Sequence, residues 1–262
     1  MTKIISIDMD GTLLNDEKIL SANNKIFLKN LKEKGYILVI SSGRPVSGLV
    51  KYFKDIDVKI DYLVANNGAT FYNGSDKSKI FERLLGYDDA IILNDMIIKH
   101  RLNIHYLSDK QIISMNKTVG IYMSLDAVLV NLEIHFKTKE ELKDFKILKA
   151  VISGSEEQLN DFQEKLDREI LLKNRFTRSG ENYIEVTSND ASKGEALKEI
   201  ASLHGVKLVD TVAIGDQTND ISMFEVAGKS IAMKNAPDKV KKYATNVGPN
   251  NNTGLIELLD QL

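Results

Sequence analysis

The chain has 262 residues and contains no cysteine. This absence excludes a disulfide framework, a thiolate metal site and a cysteine nucleophile, so any catalytic chemistry must use oxygen and nitrogen groups. A strong excess of one charge is missing as well, because 35 basic residues nearly balance 37 acidic ones and both are spread along the chain. Since no segment forms a basic arm, we expect no nucleic-acid partner.

Long apolar runs are also lacking. Runs such as residues 36–40 fall far short of the roughly 18–20 residues that span a bilayer, so we expect no membrane partner. The first ten residues include Asp8 and Asp10, which the apolar stretch of a signal peptide would not tolerate. These features predict a cytoplasmic protein.

The composition that remains is that of a folded protein. Hydrophobic residues make up 43% of the chain and charged residues 27%, which excludes the low hydrophobicity and high net charge of disordered proteins. The length corresponds to one large domain or two ordinary ones of roughly 100–150 residues.

Both ends of the chain alternate short apolar stretches with amphipathic ones. Strands are predicted over 4–7, 37–40, 62–65, 211–214 and 230–232, with helices that begin near Ser21, Ser192, Asp220 and Pro237. Such alternation is typical of an α/β fold with a doubly wound, parallel, Rossmann-like sheet. Because both ends contribute to one sheet, we predict a discontinuous core formed by residues 1–82 and 188–262.

The middle of the chain, residues 83–187, has a different rhythm. Strand-like stretches are predicted over 103–107, 111–115, 129–136, 147–152 and 182–186, with helices near 88–100 and 156–169. We therefore expect an inserted α+β domain.

Polar residues follow the predicted core strands. In an open parallel sheet, ligands bind at the carboxyl ends of the strands. The residues at these ends, or at the start of the helix after residue 190, are Asp8, Asp10, Ser42, Gly43, Arg44, Lys193, Asp216, Asn219 and Asp220. Each alone also fits a plain structural role as a turn, a helix cap or a solvated side chain.

Together these residue types indicate phosphate chemistry. Several aspartates without histidine or cysteine suit a hard cation such as Mg²⁺, and a lysine with a hydroxyl would complete a phosphate cradle. A carboxylate can attack phosphorus directly. Two carboxylates that lie two residues apart can divide the work, one as nucleophile and the other in proton transfer.

Four motifs carry a resemblance to a known family. They are Asp-Met-Asp-Gly-Thr-Leu-Leu at 8–14, Ser-Gly-Arg-Pro at 42–45, Ser-Lys-Gly at 192–194 and Gly-Asp-Gln-Thr-Asn-Asp at 215–220. Because these motifs follow one another in this order, the chain resembles the haloacid dehalogenase superfamily of phosphatases. Within it, the chain resembles the Cof-like group, which has a large cap domain of the second type. The resemblance extends to Asn67-Gly68-Ala69 and to 233–236, whereas 83–187 matches by length and rhythm alone.

The resemblance implies a role for each residue. Asp8 is similar to the family's nucleophile and Asp10 to its acid/base, while Ser42, Gly43 and Arg44 fall at positions that contact the substrate. Lys193 would offset charge on the phosphate and on Asp8.

The remaining positions resemble the metal and loop residues of the family. Asp216 is similar to the main metal ligand, with Mg²⁺ also contacting Asp8 and the backbone carbonyl of Asp10. Asn219 would contact phosphate or orient a loop, and Asp220 would bind the metal or support its ligands.

The implied activity is a Mg²⁺-dependent phosphatase that acts on small phosphorylated metabolites through an aspartyl-phosphate. Sugar phosphates and a phosphorylated cofactor are the expected substrates. Transfer of the phosphoryl group to a sugar hydroxyl, as in a mutase, stays open, as does a non-enzymatic binding protein. The chain is expected to be a monomer or a small homo-oligomer, and its cap to close about hinges near 82–86 and 187–191.

Overall fold

The computed structural model describes residues 3–54, 56–166 and 168–262. The chain forms two compact units. The core unit runs up to Phe81 and resumes at Ser192, and the inserted unit comprises Glu82–Ala191. The sequence-based insertion, 83–187, lies within the inserted unit.

The first part of the chain supplies one side of the core sheet, from its middle to one edge. Its elements are β1 (Lys3–Asp8), α1 (Ala22–Glu33), β2 (Tyr36–Ser41), α2 (Val46–Phe53), β3 (Tyr62–Ala65), β4 (Thr70–Asn73) and β5 (Lys79–Glu82). As predicted, Ser21 caps α1, and its hydroxyl accepts a hydrogen bond from the Asn24 N–H at 3.2 Å. The same helix buries Phe27, Leu28 and Leu31.

The inserted unit contains the next elements. They are α3 (Tyr87–Lys99), β6 (Asn103–Leu107), β7 (Gln111–Ser114), α4 (Ile121–Val130), β8 (Glu133–Phe136), α5 (Lys139–Leu142), β9 (Lys149–Ser153), α6 (Glu156–Glu164), α7 (Arg168–Lys173), β10 (Asn174–Gly180) and β11 (Tyr183–Ser188).

Two predictions for this unit were wrong in their bounds. The strand expected over 129–136 begins at Glu133, because α4 continues to Val130 and ends at Asn131, whose left-handed φ of 55° stops the helix. The helix expected over 156–169 ends at Glu164, and α7 begins at Arg168. Residue 167, within that predicted helix, lies outside the described residues.

The last part of the chain returns to the core unit. Its elements are α8 (Lys193–Leu203), β12 (Thr211–Gly215), α9 (Ile221–Val226), β13 (Lys229–Ala232), α10 (Asp238–Lys241) and β14 (Asn246–Val247). A short 3-10 turn, Thr218–Asp220, precedes α9.

The core sheet has the strand order β14-β13-β12-β1-β2-β3-β4-β5. Its strands run parallel from β14 to β3, and β4 returns antiparallel to β3. On β1, Ile5 and Ile7 belong to the apolar cluster that contains α1, whereas Ile4 belongs to the cluster that contains α8. Helices therefore cover both faces, which confirms the doubly wound α/β prediction.

The parallel register brings the ends of three strands together. Asp8 of β1 is level with Ser41 of β2, and Ile7 is level with Ile214 of β12. The loops that follow β1, β2 and β12 consequently leave the sheet at one edge, which is where an open parallel sheet binds ligands.

The inserted unit is built around a second sheet with the order β10-β11-β9-β6-β7-β8. Most of its neighbours are antiparallel, although β7 and β8 are parallel. Buried residues of α3 and α6 pack with Ile104 and Tyr106 of β6, while Met123 of α4 packs with Leu107 and Ile112. No helix in the described part of either unit is long and apolar enough to cross a lipid bilayer.

The contact between α8 and α9 generates a stability prediction. Gly194 packs so closely on α9 that a Cβ would lie 2.1 Å from the Ser222 carbonyl oxygen. We expect Gly194→Ala to lower the free energy of unfolding by roughly 1–3 kcal/mol, since the helices must separate. In Gly48→Ala, the new Cβ meets Arg44 side-chain atoms at an ordinary 3.5 Å. That control should be neutral or stabilising by up to about 1 kcal/mol. Urea unfolding of both variants measures these changes. Equal losses of unfolding free energy in the two variants would contradict the close packing of α8 on α9.

Candidate active site

A buried lysine joins two aspartates from different loops. Asp8 is the last residue of β1 and is only 5% exposed, and Lys193 is the fully buried first residue of α8. The Lys193 Nζ donates to Asp8 Oδ1 at 2.5 Å and to Asp220 Oδ1 at 2.6 Å. Lys193 therefore ties the loop after β1 to the loop after β12.

Ser192 fixes the start of α8, as predicted from its capping position. Its hydroxyl accepts from the Glu195 N–H at 3.0 Å. Ser192 and Glu195 have the spacing of a capping box, which predicts a return hydrogen bond from the Ser192 N–H to the Glu195 carboxylate. That half of the prediction is wrong, because the Glu195 carboxylate pairs with Lys198 at 2.7 Å instead. The cap leaves Lys193 at the first helical position, pointing into the aspartate cluster.

Hydrogen bonds from two loops hold Asp220 and Asp216. Asp220 Oδ2 accepts from the backbone N–H groups of Asp216 at 2.8 Å and Gln217 at 2.9 Å. Asp216 Oδ1 accepts from the Thr12 hydroxyl at 2.9 Å. Neutral hydrogen-bond donors of the chain itself therefore orient both carboxylates.

The electrostatics of the cluster leave an excess of negative charge. Asp8, Asp216 and Asp220 each offer an oxygen, all within 4.8 Å of one another. Burial and the charge of Asp220 raise the pKa of Asp8 well above its ordinary value, and the same causes raise the pKa of Asp216 to about 6. Burial opposes the charge on Lys193, but Asp220 and Asp8 outweigh it and hold the Lys193 pKa above its usual range. Asp8 and Asp216 supply the buried carboxylate oxygens that a hard divalent cation prefers, whereas both oxygens of Asp220 already accept hydrogen bonds.

Asp10 has a separate environment. Arg44 grips both of its oxygens, with Nε 2.7 Å from Oδ2 and Nη2 2.6 Å from Oδ1. Lys18 adds a contact to Oδ1 at 3.0 Å. Burial alone would raise the pKa of Asp10, but the hydrogen bonds and charge of Arg44, with Lys18, lower it below its ordinary value.

The other predicted residues converge on the turn between β3 and β4. Asn219 Nδ2 donates to Asn67 Oδ1 at 2.9 Å, and the Asn67 N–H donates to the Ser42 carbonyl at 3.0 Å. A Cβ on Gly43 would lie 2.9 Å from Asn67 Oδ1. Asn67 therefore connects the loop after β2 to the loop after β12.

The predicted residues thus fall into three groups that the structure brings to one sheet edge. They are the buried cluster of Asp8, Lys193, Asp216 and Asp220, the Asp10–Arg44 pair, and the Asn67 junction with Ser42, Gly43 and Asn219.

Three residues to which the sequence assigned no role also belong to the site. Thr12 and Asn67 stand inside or beside recognised motifs, so their positions gave a signal although no role was assigned. Lys18 gave none, because its contact with Asp10 depends on a loop in which Lys18 itself has a left-handed φ of 60°.

Comparison with known proteins agrees with this geometry. A family profile of haloacid dehalogenase-like hydrolases matches residues 5–259. The protein YxeH of Bacillus subtilis, named provisionally as a phosphatase, is 30% identical to this chain. The alignment covers 100% of this chain and 98% of the YxeH sequence. The chain therefore belongs to the haloacid dehalogenase-like hydrolase family, as its motifs predicted, and is a phosphatase.

Two further relatives extend along the whole chain. The 5-amino-6-(5-phospho-D-ribitylamino)uracil phosphatase YwtE of Bacillus subtilis is 29% identical to this chain. The alignment covers 99% of this chain and 98% of the YwtE sequence. The crystal structure of a haloacid dehalogenase-like hydrolase from Bacteroides thetaiotaomicron is 27% identical, with a TM-score of 0.82 over 100% of this chain and 99% of that one.

The charge balance of the cluster predicts a pH-dependent effect of removing Lys193. Lys193→Met removes the ammonium group that pairs with the buried carboxylates. Near pH 8 this change should lower the free energy of unfolding by roughly 3–5 kcal/mol. The loss should shrink toward pH 5. A carboxyl whose folded-state pKa is raised contributes stability when protonated, and this contribution disappears as the pH rises.

Urea unfolding in chelator at both pH values measures this effect. Lys198→Met, on the exposed side of the same helix, is the control and should change stability by no more than about 0.5 kcal/mol. A loss for Lys193→Met that is the same at pH 5 and pH 8 would contradict the account.

Proposed function

We propose that this phosphatase hydrolyses small phosphorylated metabolites with Mg²⁺ through an aspartyl-phosphate on Asp8. One observation carries the proposal, namely that Asp8 is buried at a strand end, held by Lys193 and next to Asp216. A nucleophile fixed in this way is oriented for in-line attack. Phosphoryl transfer depends chiefly on such positioning and on charge stabilisation.

The reaction divides between the two aspartates of the first loop. Arg44 and Lys18 keep Asp10 ionised in the free protein, so Asp10 first takes a proton from solvent as the phosphate binds. An oxygen of Asp8 then attacks phosphorus, the bond from phosphorus to the leaving oxygen breaks, and the carboxyl of Asp10 gives that oxygen its proton. Asp10, now a carboxylate, takes a proton from water, whose oxygen attacks phosphorus and releases inorganic phosphate and free Asp8. Lys193 offsets charge on Asp8 and on the phosphoryl oxygens.

Asp8 and Asp216, with the backbone carbonyl of Asp10, would hold the metal. Asp220 is already engaged by Lys193 and two backbone N–H groups, so we assign it chiefly to orienting Lys193. When bound, Mg²⁺ supplies positive charge between the phosphate and the carboxylates that would otherwise repel it. Ser42 and Asn219 would contact phosphate oxygens.

Sugar phosphates or a phosphorylated cofactor precursor are the proposed substrates. YwtE, whose name gives a ribitylamino-uracil phosphate as its substrate, aligns with nearly the whole of this chain, which supports that class. We assign the inserted unit to the role of a cap that selects the leaving group, as the resemblance implies, with a monomer or a small homo-oligomer as the assembly.

The nucleophile is tested with p-nitrophenyl phosphate. The purified protein should release phosphate in the presence of Mg²⁺ and lose this activity in chelator, and Asp8→Asn should lower kcat at least about 10³-fold because the attacking carboxylate is gone. Asp57→Asn, an exposed change in the same unit, should leave the rate within twofold. No Mg²⁺-dependent release, or full activity in Asp8→Asn, would overturn the proposal.

The metal site is tested without turnover. Mg²⁺ at 100 times its Kd should stabilise the wild-type fold by about 2.7 kcal/mol, seen as a higher Tm at pH 7.5. The shift should be smaller at pH 5, below the raised pKa of about 6 for Asp216, because protons compete with the cation. Asp216→Asn should remove most of the shift and Asp57→Asn should retain it. Equal shifts in both variants would contradict the assignment.

A further inference from the structure

We propose that Arg44 is a positioning residue that fixes the plane of the Asp10 carboxylate and leaves one of its oxygens available for proton transfer to the leaving group. The proposal rests on the proposed function, in which Asp10 is the acid/base. It assigns Arg44 a different role from the substrate contact that the resemblance implied.

The contact between the two side chains has two points. Nε lies 2.7 Å from Oδ2 and Nη2 lies 2.6 Å from Oδ1, so the guanidinium fork fixes the rotation of the carboxylate as well as its distance. Lys18 contacts the same carboxylate at one oxygen, from a side chain that is 53% exposed. An ammonium is a point charge that sets no plane, so orientation must come from Arg44.

The two oxygens of Asp10 are used differently. Oδ1 accepts from both Arg44 and Lys18, whereas the contact found for Oδ2 among the described residues is with Arg44 Nε. A carboxylate oxygen can accept two hydrogen bonds. Oδ2 therefore keeps a lone pair that can carry the transferred proton, and the Asp10 side chain is 30% exposed, which lets a ligand reach it.

Arg44 is itself held from several directions. Its guanidinium carbon lies 5.4 Å from the centroid of the Tyr52 ring, and Nη1 donates to the Tyr52 hydroxyl at 3.3 Å. Its backbone N–H donates to the Ser42 hydroxyl at 3.2 Å, and its carbonyl accepts from the Asn66 N–H at 2.9 Å. The fork is thus anchored to α2 and to the loops after β2 and β3, and it can transmit that rigidity to Asp10.

Leaving-group dependence tests the proposal, because kcat/KM includes the steps up to departure of the leaving group. p-Nitrophenolate leaves without a proton, whereas phenolate benefits from one. We expect Arg44→Gln to lower kcat/KM at least tenfold more for phenyl phosphate than for p-nitrophenyl phosphate. Arg44→Lys should behave similarly, since a lysine keeps the charge but not the fork.

Two control variants separate the loss of the guanidinium fork from the loss of a nearby positive charge. Lys18→Gln removes a charge from the same carboxylate without disturbing the fork, so it should change the ratio of the two substrates less than threefold. Lys51→Gln removes a charge from the vicinity of Tyr52, whose ring centroid lies 5.2 Å away, and should leave the ratio as in wild type. An effect of Lys18→Gln equal to that of Arg44→Gln would overturn the proposal in favour of charge alone.

Asp10→Ala separates failure of the proposal from failure of the proposed function. If Asp10→Ala itself does not select against phenyl phosphate, the acid role of Asp10 is wrong. If Asp10→Ala selects and Arg44→Gln lowers both substrates equally, or only raises KM, Arg44 binds substrate and the positioning role is wrong.

A measurement on the metal-free protein avoids dependence on activity. The Nε–H of Arg44 should be protected from solvent exchange in the nitrogen-15 NMR spectrum of the wild type, and Asp10→Ala should reduce that protection at least tenfold. Unchanged protection would show that the fork does not form.

Discussion

The site depends on one buried ammonium group. Lys193 is fully inaccessible to solvent and contacts Asp8 and Asp220, which come from opposite ends of the sequence. Burying these charges is favourable only when each is paired and hydrogen-bonded. The chain meets that condition with two backbone N–H groups on Asp220 and the Thr12 hydroxyl on Asp216. As a result Asp8, the proposed nucleophile, cannot move independently of the loop that carries Asp216, the proposed metal ligand.

The parallel sheet makes this arrangement possible. Because β1 lies between β12 and β2, the loops after all three strands start side by side, and α8 brings Lys193 to the same edge. The loops after β1 and β12 also pack closely on each other. The backbone of Gly11 lies so near the Asp216 carboxylate that a Cβ at this position would be 2.5 Å from Asp216 Oδ2. Side chains from residues more than two hundred positions apart therefore meet with little freedom to adjust.

Much of the core could be predicted from the sequence, because strand and loop alternation is a local signal and the sheet edge is a general binding position. The bounds of α4 and β8 could not, since the apolar residues near 127–130 suit a strand as well as a buried helix face. The contact between Arg44 and Asp10 could not be predicted from the sequence either. It depends on how two side chains from neighbouring loops are oriented, which spacing alone does not determine.

The proposed function depends above all on covalent attack by Asp8, and the stereochemical course at phosphorus tests that attack most directly. The substrate is a phosphorothioate monoester whose phosphorus is chiral through oxygen-16 and oxygen-18, and its hydrolysis in oxygen-17 water gives a chiral inorganic thiophosphate. Each in-line displacement inverts the configuration at phosphorus. Two successive displacements, first by Asp8 and then by water, predict overall retention of configuration. Overall inversion would mean that water attacks the substrate directly and would contradict the account.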